Sequence, residues 1–201
     1  MCIGKVWQKD QLLADVERLT DSLGPLPEPE AKPTLIAISG LPGTGKSYFC
    51  GKLGERLLFL ILESDALRKT LFSPPSYRQE ESMRLFRAIH VLMERLLRRG
   101  VSVILDATNL SERYRERLYN IADRLNAKLI LVRVEAPPEL VRERLKARVA
   151  NPEAASGADW EVYEKMKSSV EKISRQHYVV DTSRDITPVL SKIVRQVRKR
   201  E

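Results

Sequence analysis

From residue 34 onward the sequence predicts an α/β fold built on a parallel sheet, and two observations carry that expectation. Short apolar runs alternate with longer stretches of helical periodicity, the pattern of strands joined by helical crossovers. The first apolar run leads directly into a glycine-rich turn. The longest unbroken apolar run, residues 57–62, is far too short to span a bilayer. At 201 residues, with 43% hydrophobic and 31% charged, the chain suits one domain with a full core and a short appendage.

The appendage comes first. Leu12, Val16, Leu19 and Leu23 fall on one stripe of an amphipathic helix within residues 1–24 that stops at Gly24. Residues 25–33 follow as a proline-rich linker, since each proline fixes φ and disfavours helix at the residue before it. The apolar stripe needs cover, either from the main domain or from a second subunit in a homodimer. In the domain proper, residues 34–201, strands are expected at 35–39, 58–62, 101–105, 128–134 and 178–181. Residues 77–99 carry Leu85, Phe86, Ile89, Met93, Leu96 and Leu97 at helical spacing and end at Gly100, a natural left-handed stop. No internal repeat is visible.

Lys and Arg outnumber Asp and Glu by 35 to 27, a formal +8. The excess favours polyanionic partners such as nucleotides or nucleic acid, although it is spread along the chain as solvated Arg-rich helix faces would also spread it. Cys2 and Cys50 lie far apart and without metal-ligand spacing, which points away from a disulfide framework or a zinc site and fits a reducing cytoplasm. Lys5, Lys9 and Asp10 interrupt the N-terminal apolar residues, so no signal peptide and no membrane partner are expected.

The sharpest motif is Gly40-Leu41-Pro42-Gly43-Thr44-Gly45-Lys46-Ser47, which fits G-x-x-x-x-G-K-[ST] and follows the first expected strand. Its glycines let backbone N–H groups turn inward around phosphates, and the next helix, opening at Lys46-Ser47-Tyr48, adds its positive end. Lys46 is suited to bridge the β- and γ-phosphates of a nucleotide, and the Ser47 hydroxyl to ligate magnesium.

Three further motifs follow in order. Glu63-Ser64-Asp65-Ala66-Leu67-Arg68 lies just beyond the second expected strand, at the sheet edge where ligands of open α/β folds bind, although Ser64 or Asp65 could equally cap a helix. Residues 101–109 form an apolar strand ending in Asp106-Ala107-Thr108-Asn109. Asp106 can hold a magnesium-bound water there, while Thr108 and Asn109 offer short polar groups to an acceptor or to the loop. In residues 137–148, Arg144 and Arg148 lie four apart and share a helix face. Residues 151–159 are rich in small and turn-forming types, and Trp160 beyond them reads as packing; His90 and His177 read as structural.

Together these motifs resemble the nucleoside- and polynucleotide-kinase branch of P-loop enzymes, over about residues 33–198. Its nearest likenesses are the bacteriophage polynucleotide kinase domain, zeta toxins, chloramphenicol phosphotransferase, and the ATP-binding half of proteins with an aminoglycoside-phosphotransferase-like half. The resemblance implies a P-loop NTPase three-layer sandwich, five parallel strands in the order 2-3-1-4-5, and a helical lid at about 142–160. It implies ATP and Mg2+ as cofactors, Asp65 as the base, and Arg68 as a clamp on the acceptor. Arg144 and Arg148 would be lid arginines closing over the phosphates, and Thr182 would stand beside adenine. Thr108, Asn109 and Arg115 would meet the acceptor, with Arg113 and Arg117 nearby. A nucleic-acid 5′-hydroxyl is the favoured acceptor; a metabolite, an antibiotic or a nucleotide sugar, or an ATP-binding switch with no acceptor, remain as alternatives.

Overall fold

The computed structural model describes residues 3–149 and 158–199, so Cys2 and most of the expected lid turn at 151–159 lie outside the described residues. The strands are β1 (Thr34–Ser39), β2 (Leu60–Glu63), β3 (Val103–Asp106), β4 (Lys128–Glu135) and β5 (Tyr178–Asp181). They form one parallel sheet in the order β2-β3-β1-β4-β5, as the resemblance implied. The helices are α1 (Ile3–Asp21), α2 (Lys46–Gly54), α3 (Ser64–Leu71), α4 (Gln79–Arg98), α5 (Glu112–Arg124), α6 (Pro138–Val149), α7 (Trp160–Lys167) and α8 (Thr187–Arg198).

Both faces of the sheet are buried, which is why its strands read as continuous apolar runs. Leu35 and Ala37 join a core with α1, α3, α4 and α5, while Ile36 and Ile38 join a second core with α2 and α8. The alternation follows from the period of two along a strand.

The second and third strands start later than their apolar runs and end on the acids instead. Leu58 is exposed to 90%, outside the pairing, whereas Glu63 sits in register opposite Asp106. The register carries two carboxylates to the same edge of the sheet. Helix α4 begins at Gln79 rather than 77, because Tyr77 takes φ 56°, a left-handed conformation that cannot open a right-handed helix. Its end at Gly100, φ 78°, is the expected stop.

The N-terminal helix is covered within the chain. Val16 and Leu19 are fully buried in the α4 core, and Leu12 and Leu23 pack against it, so the stripe considered for a homodimer is occupied by the helix's own domain. Each such aliphatic side chain contributes about 1.5–3 kcal/mol on burial. Asp15, also buried, accepts two hydrogen bonds from Arg84 of α4, at 2.6 and 2.7 Å. The linker is stitched down as well: Glu30 N–H donates to the Gly100 carbonyl at 2.8 Å, and Ser102 Oγ donates to the Glu30 carboxylate. Among the described residues no helix is long and apolar enough to cross a membrane.

Removing Arg84 leaves the buried Asp15 charge without its counter-ion, with Gln11 Nε2, at 3.1 Å, still donating to it. Arg84→Met is expected to lower stability by about 2 kcal/mol in urea unfolding, and Asp15→Leu in the same chain to recover most of that loss.

Candidate active site

The glycine-rich turn joins β1 to α2 at the carboxyl edge of the sheet. Gly45 takes φ 91°, and a Cβ there would lie 3.0 Å from Thr182 Oγ1; at Gly40 a Cβ would lie 2.4 Å from the Val134 carbonyl oxygen. Neither position tolerates a side chain without movement of the turn. The turn is braced from three sides. Gly40 N–H donates to the Thr108 carbonyl at 3.0 Å, and Asn109 Nδ2 donates to the Ile38 carbonyl at 2.7 Å. Thr182 Oγ1 donates to the Thr44 carbonyl at 2.7 Å. Leu41 packs on Val141 and Leu145 of α6.

Lys46 lies inside this turn, its Nζ donating to the Leu41 carbonyl at 3.0 Å. Burial pushes its ammonium below the usual lysine range, while the carboxylates of Asp106 and Asp65 act to hold the charge. Asp106, only 3% exposed, is pushed up by burial and drawn back by a hydrogen bond from the Ser47 hydroxyl and by the Lys46 charge. Glu63 is pushed up by burial, then by Asp106 and Asp65. Lys46, Glu63, Asp65 and Asp106 thus form one charged cluster lining a cleft of about 1130 Å³. The sequence reading gave Glu63 no role; its place in the cluster follows from its pairing with Asp106, which the pattern alone did not disclose.

The other expected site residues divide into two groups. Pro42, Gly43, Ser47, Tyr48, Thr108, Asn109, Arg144, Arg148 and Thr182 all line the cleft. Arg144 donates to Thr182 Oγ1 at 2.8 Å and to its carbonyl at 3.1 Å, which ties α6 to the loop after β5. Trp160 packs as expected, stacked on Tyr163 at 4.8 Å between centroids. Asn109, at φ 44°, holds the end of β1 to the loop after β3 through its amide.

Two arginines require correction. Arg68 lines the cleft but is buried, and its guanidinium binds the Glu81 carboxylate and, at 3.2 Å, Ser82 Oγ, so a free clamp on an acceptor anion is not what the structure holds. Arg115 is 2% exposed and makes five hydrogen bonds, to Glu112 and to the carbonyls of Asn109, Leu110, Glu171 and Lys172, at 2.7–3.0 Å. All its donors are engaged, so it fixes the segment after α7 to the start of α5 and meets no acceptor.

A glycine-rich phosphate loop after β1, acids at the tips of β2 and β3, and this strand order define the P-loop kinase class of fold. The family model AAA_33, described as an AAA domain, matches residues 35–173, more than half of the chain, and the chain belongs to that family. Among solved structures, APE1195 superposes with a TM-score of 0.68 at 22% identity, over 85% of this chain and 98% of that one. The APS kinase CysC of Mycobacterium tuberculosis, in complex with AMPPNP and APS, gives a TM-score of 0.64 at 17% identity, over 86% of this chain and 100% of that one. A chain of the Pnkp1/Rnl/Hen1 RNA repair complex gives 0.59 at 21%, over 70% of this chain and 45% of that one. At these identities the likeness is one of fold.

Replacing Arg115 takes away the side-chain donor of four carbonyls: Asn109 keeps the Ser39 hydroxyl and Leu110 keeps the Glu171 N–H, while the carbonyls of Glu171 and Lys172 lose the bonds that tie their segment to α5. Arg115→Met is expected to lower stability by about 3–5 kcal/mol, read as a fall in the urea midpoint, with Arg115→Lys recovering only part of it.

Proposed function

We propose that the protein is an ATP-dependent kinase that transfers the γ-phosphoryl group to a hydroxyl, with a nucleic-acid 5′-hydroxyl as the acceptor. The observation that carries this reading is the convergence of Lys46, Asp65 and Asp106, from three separate chain segments, on a cleft that the phosphate loop borders. In this reading the loop amides and Lys46 hold the triphosphate, and the Lys46 Nζ exchanges the Leu41 carbonyl for phosphate oxygens. Asp65 accepts the proton of the acceptor hydroxyl as its oxygen bonds to the γ-phosphorus. The bond from that phosphorus to the β,γ-bridging oxygen breaks, and ADP leaves. Arg148 and Arg144 at the cleft wall offset the charge spread over the transferring group.

The donor set fits magnesium. Ser47 and Asp106 line the same cleft, and a buried carboxylate raised by desolvation gains from a cation beside it. Among the described residues no three His, Cys, Asp or Glu side chains converge on a metal position, which suits an ion that arrives with nucleotide phosphates and keeps its waters. When bound, the ion would neutralise phosphate charge and orient the β- and γ-oxygens. The net +8 and the fold shared with a chain of an RNA repair complex support the nucleic-acid acceptor.

Asp65→Asn is expected to lower kcat for transfer from labelled ATP to a 5′-hydroxyl oligonucleotide by about 10²- to 10⁴-fold, with nucleotide affinity within a few-fold of the parent. Undiminished transfer by the variant would remove Asp65 from the role of base.

A further inference from the structure

The phosphoryl-transfer chemistry uses only the charged side of the cleft. Its remaining wall carries three aromatic rings from separate elements: Tyr77 between α3 and α4, Phe86 on α4, and Tyr114 on α5. Most large apolar side chains of the molecule are buried, yet Tyr77 is 46% and Tyr114 39% exposed. Rings left uncovered inside a cleft, rather than scattered over the surface, mark a place where something flat is received.

Their placement is enforced. Tyr77 keeps a left-handed backbone, uncommon for a bulky residue, because its N–H donates to the Glu81 carboxylate at 3.1 Å. The same carboxylate accepts from Ser76 N–H at 2.6 Å, from Ser76 Oγ at 2.7 Å and from Arg68. Burial alone would push Glu81 up, but these hydrogen bonds carry it down to about 2. The Arg68 guanidinium lies 4.9 Å from the Tyr77 ring centroid. On the opposite element, Arg117 lies 6.0 Å from the Tyr114 centroid, and the Phe86 and Tyr114 rings are 6.0 Å apart and tilted by 38°. Each exposed ring therefore has a guanidinium beside it. Aromatic faces interleaved with arginines receive unpaired bases joined by phosphates, since every base offers a π-face and every phosphate a charge.

We infer that Tyr77, Phe86 and Tyr114 form a base-stacking platform that seats the 5′-terminal nucleoside of a single-stranded polynucleotide, so that its 5′-hydroxyl meets Asp65. The inference rests on the kinase reading and narrows its acceptor to an unpaired strand end recognised by ring stacking. It also gives Arg68 a different task from a phosphate clamp: with Glu81, it positions Tyr77.

Fluorescence anisotropy with a labelled 5′-hydroxyl oligonucleotide, and with the same strand abasic at its first residue, tests the platform independently of transfer. The abasic strand is expected to bind roughly 10-fold more weakly, and Tyr114→Leu to weaken the intact strand by a similar factor while barely affecting the abasic one. Tyr77→Asn, which tolerates the same backbone conformation, is expected to behave likewise. Equal affinity for the two strands, or variants that weaken both alike, would overturn the platform. Absence of strand binding combined with transfer from ATP to a sugar or other small alcohol would also overturn it and leave the kinase standing. Absence of transfer to any hydroxyl, with the stacking difference intact, would remove the kinase and leave the platform.

Discussion

The ammonium of Lys46 lies where burial works against its charge, and the carboxylates of Asp106 and Asp65 oppose that penalty. Much of the fold can be understood as holding these groups together. The in-register pairing of β2 and β3 brings Glu63 and Asp106 to one edge, and the turn from β1 delivers Lys46 and Ser47 beside them. Burial raises both Glu63 and Asp106; the neighbouring carboxylates raise Glu63 further, whereas Ser47 and the Lys46 charge draw Asp106 back. In the proposed function this cluster faces the phosphates of a nucleotide and the cation that accompanies them.

Bracing is the second theme. The phosphate turn has few side chains of its own to stabilise it, so its backbone is held by neighbours: Thr108 and Asn109 beyond β3, Thr182 beyond β5, and α6 through Leu41. Arg144 and Arg115 extend that bracing outward, one to the loop after β5 and one to the segment after α7. On the opposite side, α1 packs over α3 and α4, and Arg18 donates to the Thr70 carbonyl at 2.7 Å at the end of α3. The N-terminal helix therefore steadies the elements that carry Asp65 and the aromatic wall.

The alternation of apolar runs and helical stretches made the sheet legible, and the loop spelling placed the glycine-rich turn between β1 and α2, because both patterns are local in sequence. What escaped depends on contacts between distant segments. Glu63 could be placed only once β2 and β3 were paired, and Arg115, expected to meet an acceptor, is enclosed by carbonyls that include those of residues 171 and 172, distant in sequence. Arg68 carried the right spacing for an acceptor clamp, but its partner Glu81 lies thirteen positions away across a turn that propensity does not resolve. Tyr77 illustrates the same limit: its periodicity placed it in a helix, and a carboxylate four residues on held it in a left-handed turn instead.

Every role assigned at the site depends on whether the turn at residues 40–47 receives a triphosphate. A crystal structure with a magnesium-bound, non-hydrolysable ATP analogue tests this directly. The expected result is loop amides surrounding the β-phosphate, the Lys46 Nζ moved from the Leu41 carbonyl to phosphate oxygens, and the ion between Ser47 and the nucleotide with Asp106 close behind. Nucleotide seated elsewhere, with Lys46 still bound to Leu41, would contradict it.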